Sequence, residues 1–438
     1  MASSSHDRPA GMFARFFHWE VSGSLVLLAC AIAALVWANS GWADQYYTIL
    51  HFKLNLLDLD LDLHHWVNDG LMAIFFFVVG LEIKREIVVG ELSSFRRAAG
   101  PIAAALGGMM VPALVYVACT YGGEGVGGWG IPMATDIAFA LGILALFGKR
   151  VPITLKVFLT ALAIVDDLGA VTVIALFYTE SIHMPALYAA GGLLLVMFGA
   201  GRLGIRGTWI YLTLAIMVWL AFMASNVHTT VAGTIIAMLV PVRSRNEPSE
   251  FLESCRQKLE ELAKQEPTKE SMISEYEQRK VVNEIYLGAE DVIPPGPQLE
   301  HALHPITTFV ILPLFALFNA GVAINAESLS AGPFDVGLGI VLGLVAGKQI
   351  GIMLFAWLAI KSKLADLPEG TTLGQLWGAS CLAGVGFTMS LFISALAFKS
   401  SPELDTQAKL SVLLASLIAG VIGMIVLSKT LPKAAAED

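Results

Sequence analysis

Windows of about 20 residues with almost no charge recur from one end of this chain to the other, and no other feature limits its folding as much. Hydrocarbon offers no water to the backbone N–H and C=O groups, so windows of this kind must fold as helices. About twelve satisfy the criterion. They centre near Ala29, Phe76, Ala105, Ala138, Ile164, Leu194, Leu214, Thr234, Leu312, Leu344, Val385 and Leu417. The composition agrees: 56% of the 438 residues are hydrophobic and 14% charged, where a soluble domain has about a quarter charged. The expected fold is an all-α polytopic membrane protein of about 12 transmembrane helices. The first apolar run, "VSGSLVLLACAIAALVWA", is long, Trp-bounded and followed by another span, and so reads as the first helix rather than a cleaved signal.

Lys and Arg in the short loops set the orientation. Arg8 and Arg15, then Lys84, Arg85, Arg96 and Arg97, then Lys149 and Arg150, Arg202 and Arg206, Lys361 and Lys363, and Lys429 and Lys433 all fall on the side of the N-terminus. The opposite loops carry Asp44, Asp58, Asp60, Asp62, Glu124, Glu180, Glu327 and Asp335. Both termini are therefore expected in the cytoplasm. The net charge of −9 repels nucleic acid, which is excluded as a partner. Cys30, Cys119, Cys255 and Cys381 are scattered without a CxxC pair and read as small apolar fillers.

Two stretches stand outside the spans. "FKLNLLDLDLDLHH" alternates at period two and predicts a small extracytoplasmic β-hairpin at about 50–64. Its free edge either pairs with a second copy of the chain or merely caps the loop, and the residues favour neither. Residues 243–298 are rich in Glu, Lys, Gln and Ser, with a helical run at "FLESCRQKLEELAKQ" and a Pro-rich end. They read as a hydrophilic cytoplasmic insertion of amphipathic helix and linker. It divides the chain into residues 1–242, with spans 1–8, and residues 299–438, with spans 9–12.

Charges inside the spans point to function. An ionisable group at mid-bilayer costs at least about 2.5–3.5 kcal/mol and persists where it faces a cavity or a partner. Asp166 and Asp167 lie deep in the fifth span, Asp136 in the fourth beside Thr135, and Lys348 in the tenth. Neighbours on a helix point about 100° apart, so the two aspartates have different duties. One can bind an ion while the other pairs with Lys348, which would otherwise be an unpaired ammonium. Carboxylate oxygens suit hard cations, and proton and cation compete for them. That competition makes an exchanger, and no Walker A glycine loop is present to supply ATP chemistry.

Gly130, Pro132 and Thr135 interrupt the fourth span, and Gly384, Gly386 and Thr388 the eleventh. Interruptions in corresponding parts of two halves predict inverted-topology repeats with two crossed discontinuous helices. Their ends carry partial charges for which Asp136 and Lys348 have the compensating signs. For Thr388, ordinary back-bonding to its own helix is an equal alternative.

The stretches "FFFVVGLEIKREIVVGEL", "IPMATDIAFALGILAL", "VFLTALAIVDDLGAVTVIALFY", "LEHALHP", "LPLFALFNAGV", "LPEGTT" and "GVGFTMSLFI" resemble the bacterial NhaA-type sodium/proton antiporters, over nearly the whole chain apart from its N-terminal tail and the insertion. The resemblance implies that Asp167 and Asp166 form the ion and proton site, supported by Thr135. It assigns charge compensation to Asp136 and the pairing of Asp166 to Lys348. It also implies shutdown at acid pH, with responsive residues mapping onto Glu82, Arg85, Glu86, Glu300, His301, His304 and His228. By themselves His301 and His304 share a helix face, which suits a titrating pair or a polar rim, and the Glu82–Glu86 stretch reads as a solvated helix end. His228 alone reads as a satisfied polar residue.

The function implied is an electrogenic, pH-regulated secondary antiporter, not an enzyme. It would export Na+, and Li+ with it, in exchange for protons, from the inner membrane of a bacterium as a homodimer joined through the hairpin. No cofactor is implied beyond the transported ions. Two departures stand out: Gln349 replaces the proline usual after the lysine, and the long insertion is absent from the best-known members. A sodium-coupled solute symporter with similar crossed helices is the alternative, and would need a substrate pocket besides. An intramembrane aspartyl protease needs its two carboxylates on facing helices and a GxGD motif, neither of which this sequence has.

Overall fold

The computed structural model describes residues 8–56, 59–179, 182–244, 247–265, 267–324 and 334–432. Asp58, Glu180, Glu327 and Lys433 lie outside these. Among the described residues seven helices are long and apolar enough to cross a membrane: Val21–Ala38, Phe95–Cys119, Ile153–Phe177, Met184–Arg202, Pro295–Asn319, Phe334–Lys361 and Pro402–Thr430. Two bent pairs raise the number to nine. The remaining windows of low charge fall on shorter helices, Met72–Val88, Thr208–Ala224 and Thr229–Leu239.

Both Gly- and Pro-interrupted windows are the bent pairs. In the first, Glu124–Met133 is followed by Ile137–Ala145 at 40°, and in the second, Leu373–Ala383 by Phe387–Ala397 at 42°. The first half of the first pair is a 3-10 helix rather than an α-helix. Four glycines and Pro132 in ten residues explain this, since they remove both side-chain packing and a backbone donor. Single turns of π-helix interrupt three further helices, at Trp66–Leu71, Thr307–Ile311 and Gly343–Gly347. The last immediately precedes Lys348, and so adjusts the direction in which that side chain leaves its helix.

The helix Lys348–Lys361 packs along Phe95–Cys119 more extensively than on any other element. Small residues permit the approach: a Cβ on Gly351 would collide with the backbone carbonyl of Gly107, and one on Gly107 with that of Gly351. Main chain here touches main chain, so no side chain can give way.

The hairpin pairs β1 (Lys53–Leu56) with β2 (Leu59–Asp62) in antiparallel register, Lys53 opposite Asp62 and Leu56 opposite Leu59. It is bound to the bundle through Trp66, whose Nε1 donates to the Leu54 carbonyl at 3.3 Å. Burial pushes the Asp62 carboxyl up, but the His65 backbone N–H and the His65 and His51 rings outweigh it and hold it at about 2. In the insertion a second helix, Tyr276–Val292, stands where the sequence reading expects linker. It packs on Pro248–Lys264 and is tied to it by Lys258–Glu284 at 2.8 Å. Its apolar positions, Val281, Ile285 and Gly288, recur at helical spacing but are diluted by charge. The Pro-rich end begins the helix Pro295–Ile306, where proline loses no intrahelical bond.

Gly351→Ala is expected to destabilise the protein by about 1–3 kcal/mol through overpacking against Gly107, seen as a lower melting temperature in detergent. An equal substitution at Gly192, where an added Cβ meets nothing within 4 Å, is expected to leave the melt unchanged.

Candidate functional site

The two breaks meet each other in the protein interior. The Asp136 N–H donates to the Val385 carbonyl at 2.7 Å, and the Thr135 hydroxyl to the Ala383 carbonyl at 2.9 Å. Each broken segment thus satisfies orphan backbone groups of the other, as main chain away from water requires.

Asp136 caps two helices at once. Its Oδ1 accepts from the N–H of Phe139 at 3.0 Å, at the start of its own helix. Its Oδ2 accepts from the Thr388 N–H at 3.0 Å and the Thr388 hydroxyl at 2.5 Å. One negative charge therefore faces the positive ends of Ile137–Ala145 and Phe387–Ala397. Lys348 does the converse: its Nζ donates to the carbonyl of Met133, the last residue of the 3-10 half. The same ammonium is 2.6 Å from Asp166 Oδ2.

Asp166 and Asp167 sit midway along Ile153–Phe177, each 1% exposed. Asp166 turns to Lys348 and is flanked by Thr135. Asp167 points elsewhere, and neither of its carboxylate oxygens has a hydrogen-bond partner among the described residues. The charges of Asp166, Asp136, Glu82 and Lys348 act on it. Adjacent in sequence, the two carboxylates thus occupy different surroundings. The oxygens of Asp167, with those of Asp166 and Thr135 beside them, are the groups here that could hold a hard cation.

A second charged group lies at the far end of Met72–Val88. Arg85 is 3.2 Å from Glu300, 3.4 Å from Glu86 and 3.8 Å from Glu82. His304 is half-buried and feels the charges of Arg85 and His301, whereas His301 is exposed. The structure does not bring His228 to this group. Its Nε2 meets the Tyr178 carbonyl at 2.7 Å, and the next residue, Thr229, donates to the Asp69 carbonyl. Asp69 precedes Arg85 by 16 positions, about 24 Å along a helix.

Three contacts around these groups carry little sequence signal. The Thr388 side chain is a ligand of Asp136, which spacing cannot reveal across 252 residues. Tyr178 Oη accepts from Gly130 N–H at 3.3 Å and donates to the Gly127 carbonyl at 3.0 Å, pinning the 3-10 half to the end of the aspartate helix. Lys84 Nζ closes the end of Thr229–Leu239 by donating to the carbonyls of Met238 and Val240.

The family model described as Na+/H+ antiporter 1 matches residues 14–427. The Na(+)/H(+) antiporter NhaA of Koribacter versatilis is 46% identical over 420 residues, covering 95% of this chain and 90% of the relative. That of Sulfurimonas denitrificans is 45% identical over 424 residues, covering 96% and 95%. The Rhodopirellula baltica protein of the same name is 45% identical over 431 residues, covering 98% and 96%.

Removing one member of a buried ion pair leaves an uncompensated charge and costs about 3–5 kcal/mol. Asp166→Asn is expected to lower thermal stability by that order, because Lys348 then has no counter-charge. The double variant Asp166→Asn with Lys348→Met is expected to recover much of the loss. A double-mutant cycle on purified protein checks this, and additive losses would contradict it.

Proposed function

The chain belongs to the Na+/H+ antiporter 1 family, and on that premise we propose that it is a secondary antiporter that exports Na+, and Li+ with it, in exchange for protons. The observation that carries the reading is Asp167, a fully buried carboxylate whose two oxygens make no hydrogen bond among the described residues. An ionised carboxylate without a partner away from water is costly, so it takes up either a proton or a hard cation. Na+ and H+ then compete for the same oxygens. Asp166 lies beside it for the same exchange, Thr135 offers a further oxygen, and Lys348 pairs with Asp166 when that carboxyl is ionised.

Coupling follows when this site faces one side of the membrane at a time. Protons entering from outside occupy the two carboxylates, are released inward, and are replaced by Na+ on the return. More than one proton per sodium makes the cycle electrogenic. The breaks at Thr135–Asp136 and Gly384–Gly386 serve as the pivot, in two crossed discontinuous helices within an inverted repeat. The full membrane part is read as twelve spans with both termini in the cytoplasm of a bacterium, following the Lys and Arg distribution. A homodimer joined through the hairpin completes the assembly.

The group around Arg85 is assigned to pH response. One guanidinium holds three carboxylates together, and protonation of any of them alters its pairing. His304 and His301 stand near this group, while His228 is assigned to the opposite end.

Everted vesicles holding a proton gradient test the exchange. Added sodium is expected to collapse the gradient through the parent and to leave it standing with Asp167→Asn. If both variants collapse it alike, Asp167 is not the exchange site. If neither does, at any pH from 6 to 9, the antiporter reading itself fails.

Arg85→Gln removes the guanidinium shared by Glu82, Glu86 and Glu300 and leaves the three carboxylates together without a counter-charge. Its activation by pH is expected to move to the alkaline side with the maximal rate retained. An unchanged profile would remove Arg85 from the switch.

A further inference from the structure

At the foot of the hairpin, away from Asp166 and Asp167, three metal-binding side chains converge. Asp62, His64 and His65 each place a ligand atom within 4.8 Å of the others. A tetrahedral site with metal–nitrogen bonds of about 2.0–2.1 Å needs ligand atoms about 3.3 Å apart, so modest side-chain rotation would close it. Asp62 Oδ1 already meets His65 Nδ1 at 2.6 Å and the His65 N–H at 2.8 Å. Its Oδ2 meets the Nδ1 of a further histidine, His51, at 3.2 Å.

His64 is oriented from outside the cluster. Its Nε2 lies 3.3 Å from Asn319 Oδ1 and 3.2 Å from Asn68 Nδ2. The two amides are themselves joined, Asn319 Nδ2 donating to Asn68 Oδ1 at 2.8 Å. When Nε2–H donates to the Asn319 oxygen, Nδ1 is left unprotonated and able to ligate. A hydrogen bond to the far ring nitrogen is how metal-binding histidines are held in the right tautomer. The sequence brings the group together for a local reason: Asp62 caps the short turn Leu63–His65, and the hairpin register returns His51 beside it.

We infer that Asp62, His64 and His65, with His51 as a fourth ligand, form a binding site for a divalent transition-metal cation of the Zn2+, Ni2+ or Cu2+ class. Three imidazoles and one carboxylate suit these borderline ions, whereas Na+, Mg2+ and Ca2+ take all-oxygen sites. His51 and His65 are 69% and 50% exposed at the side chain, so an ion can enter from solvent. Once bound, it would join the hairpin to the start of Met72–Val88 and, through His64 and Asn319, to the end of Leu312–Asn319. The site is a clip on the loop, separate from the exchange machinery. On binding, a doubly protonated histidine releases one proton to solvent, and a neutral one with its proton on the ligating nitrogen carries it on the other ring nitrogen instead.

The test uses the full chain in lipid nanodiscs, freed of metal with a chelator and titrated with Zn2+ by calorimetry. One Zn2+ per chain is expected, with affinity lowered at least about ten-fold in His65→Gln and lost in His64→Gln with His65→Gln. Cu2+ in the same samples is expected to give an electron paramagnetic resonance spectrum with nitrogen couplings that the double variant lacks. Amide exchange over residues 51–65 should slow on Zn2+ addition to the parent alone. A monodisperse parent that binds no Zn2+, or binding and nitrogen couplings that persist unchanged in both variants, overturns the site. Should the double variant fail to fold, His51→Gln, altered at an exposed position, decides by the same calorimetry: unchanged affinity there together with unchanged affinity in His65→Gln also overturns it. Failure here leaves the sodium-dependent collapse of the proton gradient untouched, so the two readings stand or fall separately.

Discussion

Backbone polar groups that cannot reach water must be satisfied inside the protein, and the architecture around the buried aspartates is organised by that requirement. Regular helices meet it internally. The two interrupted helices do not, and at their breaks N–H and C=O groups are left over. Asp136 accepts at the starts of two helices and Lys348 donates at the end of a third segment, so one side chain of each sign compensates what the breaks expose. The Val385 carbonyl takes the Asp136 N–H, the Ala383 carbonyl takes the Thr135 hydroxyl, and the Phe387 N–H goes to Ser416 Oγ.

This arrangement fixes where the reactive carboxylates lie. Lys348 is held by a main-chain carbonyl as well as by Asp166, so the ion pair is anchored to the break rather than only to the neighbouring helix. Its own helix reaches this depth because Gly351 and Gly107 let two backbones touch. Next to that pair, Asp167 leaves both of its oxygens without a hydrogen bond, where Asp166 leaves one. A pair of aspartates in consecutive positions thereby divides into one that is neutralised and one that is available.

Much of this was legible in the sequence because cost in hydrocarbon is a local property. Long uncharged windows dictate helices wherever they occur, Gly130 with Pro132 and Gly384 with Gly386 announce interruptions, and period-two alternation announces the hairpin. The second helix of the insertion was not legible, because its apolar stripe is thin and its charge density resembles that of a linker. Nor was the 3-10 geometry of Glu124–Met133, which depends on Tyr178 and on the facing break for its remaining bonds. His228, which the resemblance links to pH response, stands at the other end of Met72–Val88 from Arg85, a distance that sequence alone does not give.

The sequence by itself determined that the chain is a membrane protein, which segments are helical, and which few charges are too costly to be there without a role. Those conclusions follow from the identity of single residues and their immediate neighbours. The tertiary structure supplies the contacts by which those charges are held. Asp136 with Thr388 and Asp166 with Lys348 are pairs separated by 252 and 182 positions, and no local preference encodes a contact of that range. It arises when helices pack, because packing is the step at which each leftover donor and acceptor has to find a partner.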